Sequence, residues 1–177
     1  MIPEKNCARC TLSRFRTKIV MPDGNINSDV AFVGEAPGEN EDLTGRPFVG
    51  KSGKLLDKIM KEEGIGRSDI MITNTVKCRP PGNRDPTQEE MDACRPFLDY
   101  ELSEKKVIVG LGKSACRDLM GYEGKMSGIV NRELTINING KEKVFIPTYH
   151  PAACIYSSES KIELRKTMNI LKNRYMS

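Results

Sequence analysis

Six cysteines are spread over the 177 residues, and four of them, Cys7, Cys10, Cys78 and Cys94, have the spacing of metal ligands. Cys7-x2-Cys10 lets two thiolates grip one metal from a single turn, while the pair Cys78-x15-Cys94 must close the site through the fold. An all-thiolate set suits zinc or an iron–sulfur cluster, and spacing does not choose between them. A disulfide framework is the weaker alternative. The N-terminal stretch Met-Ile-Pro-Glu-Lys-Asn-Cys carries no apolar leader, so the chain reads as cytoplasmic, where thiols stay reduced. Cys116 lies on an apolar helix face and reads as an ordinary buried small residue. Cys154 follows the turn at His150-Pro151, and a place in the site's lining is one alternative for it.

A second set of residues could act on a polar ligand. Gly34-Glu35-Ala36-Pro37-Gly38 is a turn-rich loop after an apolar run, and His150 is the only histidine. Phe48 stands between Pro47 and Gly50, and Asn74 closes a second apolar run. Glu35, Glu41 and Asp42 supply carboxylates nearby in sequence. Each has a plain structural reading: a core phenylalanine, a turn-capping asparagine, a satisfied histidine, a solvated acidic loop. Lys51, Lys54, Arg79, Arg84 and Lys113 lie near expected strand ends, where they would meet phosphates or simply face solvent.

The elements that must position these residues follow from periodicity. Asp29–Val33, Ile70–Thr75 and Val107–Leu111 read as buried strands. Leu55, Leu56, Ile59 and Met60 recur at helical spacing, and Gly64 supplies the stop. Thr87-Gln88-Glu89-Glu90 has the pattern of a capping box opening a helix that carries Met91, Cys94, Phe97 and Leu98. Further helices are expected from about Ser114 to Met120 and from roughly Ser160 to Arg174. Leu134–Ile138 and Val144–Ile146 flank Asn139-Gly140 as a hairpin-like pair. Strands alternating with helices predict a three-layer α/β/α domain over residues 1–177, with a mostly parallel sheet. In such folds ligands collect at the carboxyl ends of the strands, where Gly34-Glu35, Asn74 and His150 all fall.

Composition adds little. The net charge of +4, from 28 basic and 24 acidic residues, permits nucleic-acid binding without requiring it. The longest apolar stretches are strand-sized, so no membrane span is expected.

Taken together, Gly34–Asp42, Gly45-Arg46-Pro47-Phe48-Val49-Gly50, Thr73–Pro81 and His150-Pro151 closely resemble the family 4 uracil-DNA glycosylases. The resemblance runs from Cys7 to about His150. It implies a uracil-DNA glycosylase-like α/β/α domain with a four-stranded sheet, and a structural [4Fe–4S] cluster on Cys7, Cys10, Cys78 and Cys94, with zinc as the alternative. It also implies hydrolysis of the bond between uracil and deoxyribose after the nucleotide is flipped out of the stack. Phe48 matches the stacking aromatic, Asn74 the uracil reader and His150 the residue that hydrogen-bonds uracil O2. Gly34, Glu35 and Ala36 fall in the base-binding loop, whose backbone N–H groups would assist at the departing anion. Glu41 is the expected water-positioning carboxylate, with Glu35 and Asp42 as rivals.

The implied partner is uracil-containing DNA, single- or double-stranded, acted on by a monomer in a prokaryotic or archaeal cell. A sliding clamp is left open as a further partner, and no membrane is expected. Two departures stand out. Residues 81–86 contain no histidine, which argues against covalent trapping of the sugar. The segment after His150-Pro151 reads Ala152-Ala153-Cys154-Ile155-Tyr156-Ser157 where the family usually carries leucines and an arginine, leaving Ile155 as the expected wedge. The rival readings are a non-catalytic iron–sulfur DNA-binding module and a zinc-stabilised interaction domain.

Overall fold

The computed structural model describes residues 1–176. Six strands form one sheet in the order β1-β3-β2-β4-β6-β5. Four of them are parallel and central: β2 (Val30–Gly34), β3 (Met71–Asn74), β4 (Val107–Leu111) and β6 (Lys141–Thr148). The four-stranded expectation describes this parallel centre. Two antiparallel edges extend it, the two-residue β1 (Asp23–Gly24) beside β3 and β5 (Leu134–Ile138) beside β6. β5 and β6 are the anticipated hairpin, turning at Asn139 and Gly140, both with positive φ.

Side chains on β2 alternate between two cores, as a strand buried on both faces requires. Val30 and Phe32 pack with Leu56 and Ile59 of α2 (Lys51–Glu62) and with Leu164, Met168 and Leu171 of α6 (Ser158–Arg174). Ala31 and Val33 pack on the other face with Leu98 and Leu102 of α3 (Gln88–Leu102) and Ala115, Cys116 and Leu119 of α4 (Lys113–Met120). Three layers result. Cys116 is fully buried in the second core and Cys154 in the first, so Cys154 belongs to the packing rather than to the site's lining. α3 opens with the reciprocal cap read from the sequence: Thr87 Oγ1 accepts from Glu90 N–H, and Glu90 Oε1 accepts from Thr87 N–H.

A third, small cluster of Leu12, Val76, Cys78 and Met91 lies beneath the N-terminal arm. That arm is fixed by Val20 N–H donating to Lys77 O, 2.7 Å, and by the Arg9 guanidinium over the Phe97 ring, 4.8 Å. No helix among the described residues is long and apolar enough to cross a membrane.

Candidate active site and thiolate centre

Sheet register brings the first two site elements together. Gly34 and Asn74 are partners at the ends of the parallel pair β2–β3. Two strands away, Leu111 pairs with Thr148 and Gly112 N–H donates to Thr148 O, which places His150 just past the same end of the sheet. Gly112 has φ +91°, and a Cβ there would sit 2.9 Å from His150 Cβ, so only glycine admits this approach. A cavity of about 240 Å³ opens at this edge, with Glu35, Ala36, Glu41, Phe48, Asn74 and His150 in its lining. That volume lies below the roughly 300–1,000 Å³ of drug-sized ligand sites and suits a single small ring.

Asn74 is 3% exposed, and its Oδ1 has no hydrogen-bond partner among the described residues. A buried amide oxygen without a donor costs on the order of 1–3 kcal/mol, so a ligand N–H would restore it. Its neighbours hold it tightly. A Cβ on Gly34 would lie 2.6 Å from Asn74 Oδ1 and 2.3 Å from Phe48 Cζ.

His150 caps α5 (Pro151–Cys154), and its Nδ1 accepts from Ala152 N–H at 3.0 Å. The ring proton therefore resides on Nε2, leaving that nitrogen as a donor. Burial pushes the imidazolium down to about 4, so the ring is neutral near pH 7. The Phe48 ring lies 5.7 Å from it, centroid to centroid, tilted by 32°. Phe48 has φ +53°, an unusual conformation for a bulky residue. Backbone strain of this kind costs roughly 1–3 kcal/mol and persists only where the surroundings over-determine it.

The three carboxylates divide by location. Glu41 lies in α1 (Glu39–Thr44), a six-residue helix not anticipated from the sequence. Its Oε1 accepts from Gly38 N–H, and its Oε2 accepts from Val49 and Gly50 N–H at 2.9 and 2.6 Å. Its two oxygens thus tie the Gly34–Gly38 loop to the Phe48 segment. Gly38 N–H is thereby taken and is not free for a ligand in the cavity. Asp42, the next residue, does not line the cavity; its Oδ1 accepts from Thr17 and Lys18 N–H and ties the N-terminal arm to α1. Glu35 accepts from Ser114 Oγ at 2.5 Å, and burial raises its pKa, with the nearby Asp85 carboxylate adding to the rise.

Of the basic residues, Arg84 lines the cavity and makes a two-pronged pair with Glu90, both contacts 2.8 Å. Lys113 pairs with Asp85 at 3.4 Å, and Arg79 donates to Asn83 Oδ1. Lys51 and Lys54 are exposed. After α5, Ile155 is half-buried, whereas Tyr156 is 89% exposed with Lys51 Nζ 5.7 Å from its ring centre. The aromatic, rather than Ile155, is the more prominent side chain there.

The four expected ligand cysteines, Cys7, Cys10, Cys78 and Cys94, line a second cavity between the N-terminal arm and α3. All six cysteines are free thiols. Burial pushes the Cys78 thiol up to about 11, although Arg16 Nη1 approaches its sulfur at 3.6 Å. A desolvated thiol of this kind becomes a thiolate when a metal cation offsets its charge. The donor set therefore fits a thiolate-ligated group. Among the described residues no three His, Cys, Asp or Glu side chains form a group that could hold a single ion.

Sequence reasoning missed Arg67 and Lys77, which hold Phe48 and Asn74 from behind. Arg67 Nη2 donates to Phe48 O, and Lys77 Nζ donates to Asn74 O. No motif marks Arg67. Lys77 was visible only as the residue before Cys78.

Comparison with known proteins agrees with this geometry. The family model "Uracil DNA glycosylase superfamily" matches residues 21–172. The type-4 uracil-DNA glycosylase of Sulfurisphaera tokodaii is 43% identical over 159 residues, covering 86% of this chain and 72% of the relative. That of Thermotoga maritima is 44% identical over 161 residues, covering 89% and 82%, and that of Saccharolobus solfataricus 39% identical over 183, covering 98% and 83%. With the glycine loop, Asn74 and His150 gathered at one end of a parallel sheet, and with these relatives along most of its length, the chain belongs to the type-4 uracil-DNA glycosylases of the uracil DNA glycosylase superfamily.

Proposed function

We propose that this protein is a base-excision repair enzyme that hydrolyses the N-glycosidic bond of deoxyuridine in DNA, releasing uracil and leaving an abasic site. The observation that carries the reading is the buried, unpartnered Oδ1 of Asn74 in a base-sized cavity. Uracil N3–H supplies the missing donor and O4 accepts from the amide Nδ2, while cytosine presents the reverse pattern and leaves buried groups unpaired. Phe48 covers the face of the flipped base. The fixed Nε2–H of neutral His150 donates to uracil O2, where negative charge grows as the bond breaks.

Two carboxylates share the remaining work. Glu35, half-buried in the cavity wall, positions the attacking water, and its raised pKa brings it toward the range of a general base. Glu41, with both oxygens engaged by backbone amides, keeps the loop and Phe48 in place.

Cys7, Cys10, Cys78 and Cys94 hold a [4Fe–4S] cluster. The four thiols line one cavity, a donor set that suits an iron–sulfur cluster, and the type-4 relatives favour the cluster over zinc. When bound, the cluster supplies a covalent tie between the N-terminal arm and α3. The chain acts as a single domain and a monomer on uracil-containing DNA in the cytoplasm.

The test is incubation of the cluster-loaded protein with an end-labelled uracil-containing strand, followed by alkaline cleavage of abasic sites. Strand scission at uracil and none at cytosine is expected. An intact strand would overturn the reading.

A further inference from the structure

Phe48 is constrained from three sides, and one of the constraints reaches it from outside the glycine loops. The guanidinium of Arg67 donates from Nη2 to Phe48 O at 2.5 Å and from Nη1 to Pro47 O at 2.9 Å. It is itself fixed by Asp57, Nε to Oδ1 at 3.1 Å, and by Asp23 of β1, Nη1 to Oδ2 at 3.1 Å. The fork is thus pre-set, with two carboxylates behind it and two carbonyls before it. On the far side of the same turn, Glu41 takes the next two amides, Val49 and Gly50. Beneath it, Gly53 lets α2 press against the turn, since a Cβ there would lie 2.0 Å from Phe48 O.

We propose that Arg67 is a positioning residue for base recognition: its grip on the Pro47 and Phe48 carbonyls keeps Phe48 in the left-handed conformation that aims the ring into the uracil cavity. A lone phenylalanine relaxes away from φ +53° when released. Arg67 fills the role because a planar fork reaches two successive carbonyls at once, which a lysine cannot do. The inference rests on the uracil reading given above for its activity readout, but the conformational part does not.

The test combines a double-mutant cycle with amide hydrogen exchange on the cluster-loaded protein. Arg67→Met is expected to raise KM for a uracil-containing oligonucleotide, and to weaken inhibition by free uracil, by about tenfold or more, the scale of losing one charge-assisted hydrogen bond. Arg67→Lys falls between wild type and Arg67→Met. In a Phe48→Ala background, Arg67→Met adds no further change to either quantity, although it lowers thermal stability in both backgrounds. Exchange at Val49 and Gly50 speeds up in Arg67→Met whether or not uracil is cleaved. Equal effects of Arg67→Met with and without Phe48 would overturn the proposal, as would unchanged exchange at Val49 and Gly50. A wild type that exchanges slowly there yet releases no uracil would instead sink the proposed activity alone.

Discussion

The ammonium of Lys77 lies 2.6 Å from the carbonyl oxygen of Asn74, three residues earlier in the chain. The same nitrogen contacts Thr73 Oγ1 and Glu101 Oε1, each at 2.6 Å, and the Lys77 side chain is 1% exposed. Glu101 Oε2 has no partner among the described residues. Lys77 thus fixes the backbone of Asn74, the proposed base reader, while standing directly beside Cys78. Lys77→Met removes one half of a buried pair and should cost on the order of 3–5 kcal/mol, read from urea denaturation. Lys77→Met with Glu101→Leu should recover much of that stability. Inhibition by free uracil should stay weakened in the double variant, because the Asn74 carbonyl still lacks its donor.

Gly34→Ala should abolish base recognition more than it harms the fold. The added Cβ would enter the space of both the Phe48 ring and Asn74 Oδ1. A displacement of about 1 Å at such a site can cost roughly 10²-fold in kcat/KM. Single-turnover cleavage together with thermal denaturation separates the two effects.

The pH dependence follows from His150. Burial holds its imidazolium at about 4, below its ordinary value of 6.5, so the folded state favours the neutral ring. Stability from this group is complete above pH 6.5 and is lost as pH falls from there toward 4, because the unfolded chain binds the proton first. Below 4 both states are protonated and the loss levels off. Protonation of Nδ1 would also abolish its acceptance from Ala152 N–H. Single-turnover rates should therefore show no His150 inflection between pH 5 and 8, with its fall confined to the approach to 4. A rate inflection near 6.5 that disappears in His150→Gln would contradict this.

Removing the proposed cluster should free the N-terminal arm while leaving the sheet folded. Protein purified anaerobically is expected to contain iron and labile sulfide in equal amounts. Chelation after oxidation should lower Tm by roughly 10 °C or more, the scale of losing several kcal/mol in a domain this size. Limited proteolysis should then cut within residues 1–20 before any other segment. Zinc in place of iron in the anaerobic protein would refute the cluster assignment.

Much of the parallel centre was legible because β2, β3 and β4 are short apolar runs followed by turn signals, and α3 announces itself by its capping box. The placement of the candidate site was legible where a motif marks it: Gly34–Gly38, Asn74 and His150 stand at strand ends. What stayed hidden depends on contacts without periodicity. α1 reads Glu-Asn-Glu-Asp-Leu-Thr and has no apolar stripe, and it forms because Glu41 and Asp42 find backbone amides distant in sequence. The same holds for Glu41, expected to position water: its oxygens accept from the Gly38, Val49 and Gly50 amides, an engagement that no periodicity announces. Arg67 was invisible for a similar reason, since its four partners come from positions 23, 47, 48 and 57.

The edge strand β1 carries a consequence of its own. The parallel strand β3 would otherwise present unpaired backbone groups, the kind of border on which another chain can add and aggregation begin. Two residues, Asp23 and Gly24, cover its first half at Ile72 and Met71, and so short a strand offers little template to a second molecule. Asp23 is also the carboxylate that braces Arg67. The fastening that aims the aromatic lid of the cavity is therefore the one that guards the sheet against association, and substitutions that loosen it should make the protein stickier as well as slower.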